Sequence, residues 1–267
     1  MTTTVTLSAT EVIGHIAAPL TGLPACIAGS TVAAEVYDLP LSENSDVDVF
    51  CYSEQALIAA VQRLLSAGFP LNPRHERVWE RWLQYGLRSW HTNSIKLVDE
   101  FSGTEINLVH KLMGGHPTSS LPQVLESFDF GLLAVGYDLR ESHRQDLRSF
   151  LFPKHPLDGP LPLMPNKRTA WRSGFISQYN GLREVGRYAK YVTYGHDLSL
   201  VKDDLIEGYM SAALYMSQRD DPLKIQLGLI YDTIARKIEM DDIPDLMEAG
   251  KQILTLDSLD LIMEALE

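Results

Sequence analysis

Polar and apolar residues alternate at 46–50, Asp-Val-Asp-Val-Phe, which predicts a strand with one face in a core. Ser-Ile-Lys-Leu-Val at 94–98 and Glu-Ile-Asn-Leu-Val at 105–109 alternate likewise, with Gly103 between them, and predict a hairpin extending the same sheet. A short apolar run at 26–28 ends in Gly29-Ser30 and predicts a first strand followed by a helix over 32–37. The period changes to helical at 53–67, where Leu57, Ile58, Val61, Leu64 and Leu65 recur on one side before Gly68. Ser8 and Glu11 have the spacing of a capping box and open a helix over 8–18, with 19–24 as a connector. A short helix over 122–128 and a strand over 130–137 complete this half.

Five prolines in 153–165 exclude a helix interior or a central strand there, so this stretch reads as a linker. Beyond it the pattern is helical throughout, at 169–179, 181–194, 202–218, 222–238 and 243–266, the last as two short pieces. The expected fold class is therefore α/β (α+β). A mixed sheet with flanking helices occupies 1–152, and an all-helical domain occupies 166–267.

The length of 267 residues suffices for one large or two modest cores, and 45% hydrophobic with 22% charged residues is ordinary for a globular chain. No apolar stretch is long enough for a membrane span, and the N-terminus lacks the basic region of a signal peptide. Cys26 and Cys51, each among apolar neighbours, read as buried thiols in adjacent strands and not as disulfide partners, which implies a reducing, cytoplasmic setting. A net charge of −12 argues against broad coating of nucleic acid. Residues 140–196 nevertheless carry ten Lys and Arg against four acids, either a phosphate-facing surface or a solvated face. The histidines and cysteines show no zinc spacing, and neither a serine nucleophile elbow nor a Walker lysine occurs.

The chemistry centres on 46–50. Residues two apart on a strand share a face, so Asp46 and Asp48 point together while Val47 and Val49 enter the core. Their α-carbons would stand about 6.6 Å apart. At an effective dielectric of about 20, two carboxylates at that spacing repel by about 2 kcal/mol. A divalent cation between them removes that cost, and magnesium prefers such oxygens while also bridging substrate phosphates.

Gly29-Ser30 at a strand end, a helix, and then apolar-flanked Asp46-Val47-Asp48 resembles the signature of the DNA polymerase beta-like nucleotidyltransferase superfamily. The resemblance covers about a tenth of the chain, and the fifteen residues from Thr31 to Ser45 are slightly more than the family usually has. It implies that Gly29 and Ser30 touch a nucleoside triphosphate and that Asp46 and Asp48 hold Mg²⁺ or Mn²⁺. It also implies a third acid from another strand, for which Asp129 and Glu105 are the candidates. Asp129 lies in Phe-Asp-Phe, which resembles an element of viral and phage nucleotidyltransferase-like proteins, as does the Arg-x-x-Lys-Tyr run at 187–191.

Two basic stretches carry a weaker signal. Arg183, Arg187 and Lys190 fall on one face of a predicted helix, and such a stripe either meets the triphosphate or faces water. Within 70–93, Trp79, Trp82 and Trp90 stand among arginines 74, 77, 81 and 88, which form either a stacking and phosphate surface or, the favoured reading, core anchors with a wet basic face. The expected function is transfer of a nucleoside monophosphate from an NTP to a hydroxyl, with pyrophosphate released. The acceptor is open: an RNA 3′ end of tRNA size, a protein or a small molecule. The alternatives are a nucleotide-binding sensor without catalysis on the same fold, and an interaction protein working through its acidic helical tail.

Overall fold

The computed structural model describes residues 8–39, 45–87, 93–113, 116–165, 191, 197–201 and 204. The chain divides into two compact units, Met1–Asp158 and Gly159–Glu267. The first unit holds the sheet. The helices predicted over 169–266 lie outside the described residues except at 191 and 204, both helical.

Helix α1 (Ala9–Leu20) is opened by Ser8, which donates its main-chain N–H to Glu11 Oε2 at 2.8 Å and accepts from the Glu11 N–H at 3.3 Å. It runs past Pro19, because Leu20 is fully buried and holds the last turn in place. Strand β1 (Ala25–Ala28) leads through Gly29 into α2 (Ser30–Tyr37), and β2 (Asp46–Cys51) is followed by α3 (Glu54–Ser66), capped by Ser53. Helix α4 (Glu76–Tyr85) precedes β3 (Asn93–Val98) and β4 (Glu105–His110), the expected hairpin. A two-stranded ribbon of β5 (Leu112–Met113) and β6 (His116–Pro117) leads into α5 (Leu121–Glu126). Then come β7 (Val135–Asp138), β8 (His143–Asp146) and α6 (Arg148–Leu151).

The six long strands form one mixed sheet in the order β3-β4-β2-β1-β7-β8. Only β2 and β4 are parallel, joined by the crossover that contains α3. Val47, Val49, Ile95, Leu97, Ile106 and Leu108 are all fully buried, as the alternation requires. Helix α3 packs against β2 and β4, and α1 against α2 and α3. The opposite face carries Asp46, Asp48, Glu105, Asn107 and Lys96, and is covered toward β1 and β7 by α5. There Gly136 leaves room for Leu121, whose Cδ1 lies 2.7 Å from where a β-carbon would stand.

The expected strand over 130–137 is shorter than the sequence suggests. Gly131–Leu133 forms a 3₁₀ turn, and the strand itself begins only at Val135. Phe130, Leu132, Leu133, Ala134 and Val135 are all buried, and a turn brings consecutive apolar side chains inward where a strand would expose alternate ones. Trp79 anchors α4 while Arg74, Arg77 and Arg81 face solvent; Arg88 and Trp90 lie outside the described residues. Cys26 and Cys51 are free and buried, and burial pushes the Cys26 thiol up to about 12. Among the described residues no helix is long and apolar enough to cross a membrane.

Candidate functional site

The site is built where β1 stops. Ala28 stands opposite Asp48 across the β1–β2 pair, and Asp48 stands opposite Asn107 across β2–β4. One residue beyond Ala28, Gly29 takes φ +100° and ψ −151°, a conformation essentially confined to glycine. This kink turns the chain abruptly into α2. Gly29 caps that helix without any side-chain hydrogen bond, so the first N–H groups of α2 are left to other partners.

Asp48 is half-buried and reaches this turn. A β-carbon placed on Gly29 would lie 3.5 Å from Asp48 Oδ2 and 4.0 Å from Phe128 Cζ. Glycine turn, carboxylate and aromatic ring therefore meet at one point. The other carboxylate oxygen, Oδ1, accepts from Asn107 Nδ2 at 2.8 Å. Asp46 is also half-buried, two residues earlier on the same face. Its main-chain carbonyl accepts from Thr31 Oγ1 at 2.9 Å, which ties the start of α2 to the start of β2. Ser30 is buried at the helix start.

The two candidates for a third acid differ. Glu105 lies opposite Asp46 on β4, but Lys96 Nζ binds its Oε1 and Asn72 Nδ2 donates to its Oε2 at 3.0 Å. Asp129 is 4% exposed and follows Phe128, the residue that touches the Gly29–Asp48 junction. Among the described residues, no group of three or more His, Cys, Asp or Glu side chains is gathered closely enough to hold a metal ion.

Three solved structures are among those to which the chain is similar. One is a tRNA-processing enzyme complex (14% identity, TM-score 0.45, 95% of this chain and 73% of that one). A second is the apo form of a tRNA-processing enzyme (15% identity, TM-score 0.44, 91% and 62%). A third is a tRNA nucleotidyltransferase complexed with a primer tRNA and an incoming ATP analog (14% identity, TM-score 0.42, 91% and 66%). The chain spans about two thirds of the length of these structures. No protein-family model and no curated protein matches it.

The alternation at 46–50 puts Asp46 and Asp48 on a common face and the apolar run puts Gly29 at a strand end, and the structure brings Asp48 and Gly29 together. Two neighbours of the site carry no such local mark. Asn107 was legible only as a polar residue on the outward face of β4, and nothing local marks it as the partner of Asp48. Lys111 Nζ stands 5.5 Å from the Phe128 ring centroid and 5.9 Å from that of Phe50, beside the same aromatic wall. Two cations of the basic stretch are paired with acids: exposed Arg140 binds Asp138, and buried Arg148 binds Asp146. Arg183, Arg187 and Lys190 lie outside the described residues.

Proposed function

We propose that this chain is a metal-dependent nucleotidyltransferase. The observation that carries the reading is the approach of Asp48 Oδ2 to the Gly29 turn, which sets a carboxylate beside an uncapped helix start. A helix start with free N–H groups attracts phosphate, and an adjacent carboxylate repels it unless a cation stands between them. Asp46 and Asp48 offer hard oxygen donors on one face, which fits Mg²⁺ or Mn²⁺ held by one or two carboxylates together with water and substrate phosphates. When bound, such an ion supplies positive charge to the triphosphate and lowers the pKa of the attacking hydroxyl.

The chain's own residues bind and orient. Gly29 lets the triphosphate approach the backbone without a side chain in the way, and the α2 N–H groups with Ser30 hold the β- and γ-phosphates. Arg183, Arg187 and Lys190 are proposed as further nucleotide-binding residues. Asp129 is favoured over Glu105 as a third acid, since both Glu105 oxygens are engaged. The acceptor hydroxyl gives its proton to solvent as its oxygen bonds to the α-phosphorus, the bond from that phosphorus to the oxygen bridging to the β-phosphate breaks, and pyrophosphate leaves with that oxygen. An RNA 3′ end of tRNA size, a protein hydroxyl and a small molecule remain the acceptor classes.

A specific observation favours a second reading, a domain that binds nucleotide without turning it over: the described residues contain no three-acid group. Incubation with each α-labelled NTP, Mg²⁺ or Mn²⁺ and cell extract separates the two. Label passing to a macromolecule or small molecule, and lost in Asp48→Asn, supports transfer. Nucleotide retained with no label transferred supports the binding domain, and absence of both defeats the site.

A further inference from the structure

Asn107 lies next to Asp48 on the adjoining parallel strand, in register with it and with Lys96 on the far side. A carboxylate oxygen only accepts, so the amide presents its NH₂ end to Asp48 and turns its carbonyl away. That carbonyl oxygen is buried and has no hydrogen-bond partner among the described residues. An asparagine kept for packing alone would have both ends of its amide satisfied. Here the side chain's one hydrogen bond among the described residues is the one to Asp48 Oδ1.

We propose that Asn107 is the positioning residue of the cation site. It holds Asp48 Oδ1 so that Oδ2 faces the Gly29 turn, and it occupies with a neutral group the strand position where a third carboxylate would otherwise adjoin Asp48. The inference rests on the reading of Asp46 and Asp48 as cation ligands and adds a consequence to it. With an amide in place of a carboxylate beside Asp48, the protein holds a divalent ion weakly by itself, and the nucleotide's phosphates complete the ligand set. Ion and nucleotide therefore bind together, each tightening the other by the same factor.

The test measures Mn²⁺ binding by electron paramagnetic resonance on the full chain, with Mn²⁺ alone and with added α,β-methylene analogues of the four NTPs. In the wild type, the analogues are expected to tighten Mn²⁺ by about tenfold or more. Asn107→Asp places a third carboxylate beside Asp48. It is expected to tighten Mn²⁺ alone by about tenfold and to shrink the gain from nucleotide. Asn107→Ala removes the donor and is expected to weaken Mn²⁺ in the ternary complex by about tenfold or more, with little change in melting temperature.

Circular dichroism verifies that each variant is folded, and if Asn107→Asp is not, Asn107→Ala decides. Variants that bind Mn²⁺ as the wild type does, with and without nucleotide, overturn the role of Asn107 while leaving the site intact. A loss of Mn²⁺ binding that merely parallels a fall in melting temperature also overturns it. Wild-type protein that binds no Mn²⁺ even with the analogues overturns the underlying site, a result distinguishable from both.

Discussion

Thr31 Oγ1 donates to the main-chain carbonyl of Asp46 at 2.9 Å, closing a fifteen-residue excursion between the first turn of α2 and the first residue of β2. Both ends of the site are thereby fixed to each other, so the length of the intervening segment does not set the distance between the glycine turn and the acids. Thr31 is 1% exposed, and Thr31→Val keeps its shape while removing this hydrogen bond. The expected cost is about 1 kcal/mol. Urea unfolding checks it: the midpoint should fall with the slope unchanged. An unaltered midpoint would show that the bond contributes nothing.

Gly29 is constrained by its backbone more than by its surroundings. At φ +100° and ψ −151° an L-residue is strained, whereas its β-carbon would find only ordinary contact with Asp48 Oδ2 at 3.5 Å. Gly29→Ala is therefore expected to cost about 1–3 kcal/mol through backbone strain. The added methyl group would also stand between Asp48 and an incoming phosphate. Isothermal titration with an NTP and Mg²⁺ should show nucleotide affinity falling by more than the stability loss explains. Wild-type affinity in a folded Gly29→Ala protein would place the phosphates elsewhere.

Much of the sheet domain was legible because its signals are local. The alternation at 46–50 and the pair of strands at 94–98 and 105–109 each follow from a period of two, and the Ser8–Glu11 cap follows from a spacing of three. The failures have a common physical origin. The strand expected over 130–137 gave way to a 3₁₀ turn because tertiary burial of Phe130 to Val135 overrode the run's β-propensity. Asn107 and Lys111 stand at the site through strand order, and a single sequence does not reveal that β4 is the parallel neighbour of β2. Lys96 and Glu105 face each other across the expected β3–β4 hairpin, but the register that brings them and Asn72 together is not written in the alternation alone.

That pairing yields a prediction about the two candidate third acids. Glu105 and Lys96 are each about one-third exposed, so their ion pair contributes little. Glu105→Gln should destabilise by less than about 1 kcal/mol and leave Mn²⁺ affinity within about twofold of wild type. Asp48→Asn should instead weaken Mn²⁺ binding by about tenfold or more, since it removes a negatively charged ligand. Paramagnetic resonance titration of both variants decides between them. A Glu105→Gln protein as impaired as Asp48→Asn would make Glu105 a ligand despite its partners.

The far end of the sheet predicts how the fold responds to acid. Asp138 accepts from Tyr52 Oη at 3.1 Å and, through both oxygens, from Arg140, whose Nη2 lies 3.0 Å away and whose guanidinium carbon stands 4.7 Å from the Tyr52 ring centroid. Burial pushes the Asp138 carboxyl up, but the hydrogen bonds from Arg140 and Tyr52 outweigh it and hold the group below the usual carboxylate range. Asp146 shows the same balance against Arg148. A carboxyl whose folded pKa is depressed contributes stability that is fully present above its unfolded value, near 3.9, and is lost as pH falls through the folded one. Unfolding free energy should therefore decline as pH is lowered below about 4. Asp138→Asn should lower stability at neutral pH by about 1–3 kcal/mol, because Arg140 loses its charged partner. It should also flatten the acid decline without abolishing it, since Asp146 remains. Urea unfolding repeated from pH 2 to 6 on both proteins measures the two slopes, and equal slopes would remove Asp138 from the account.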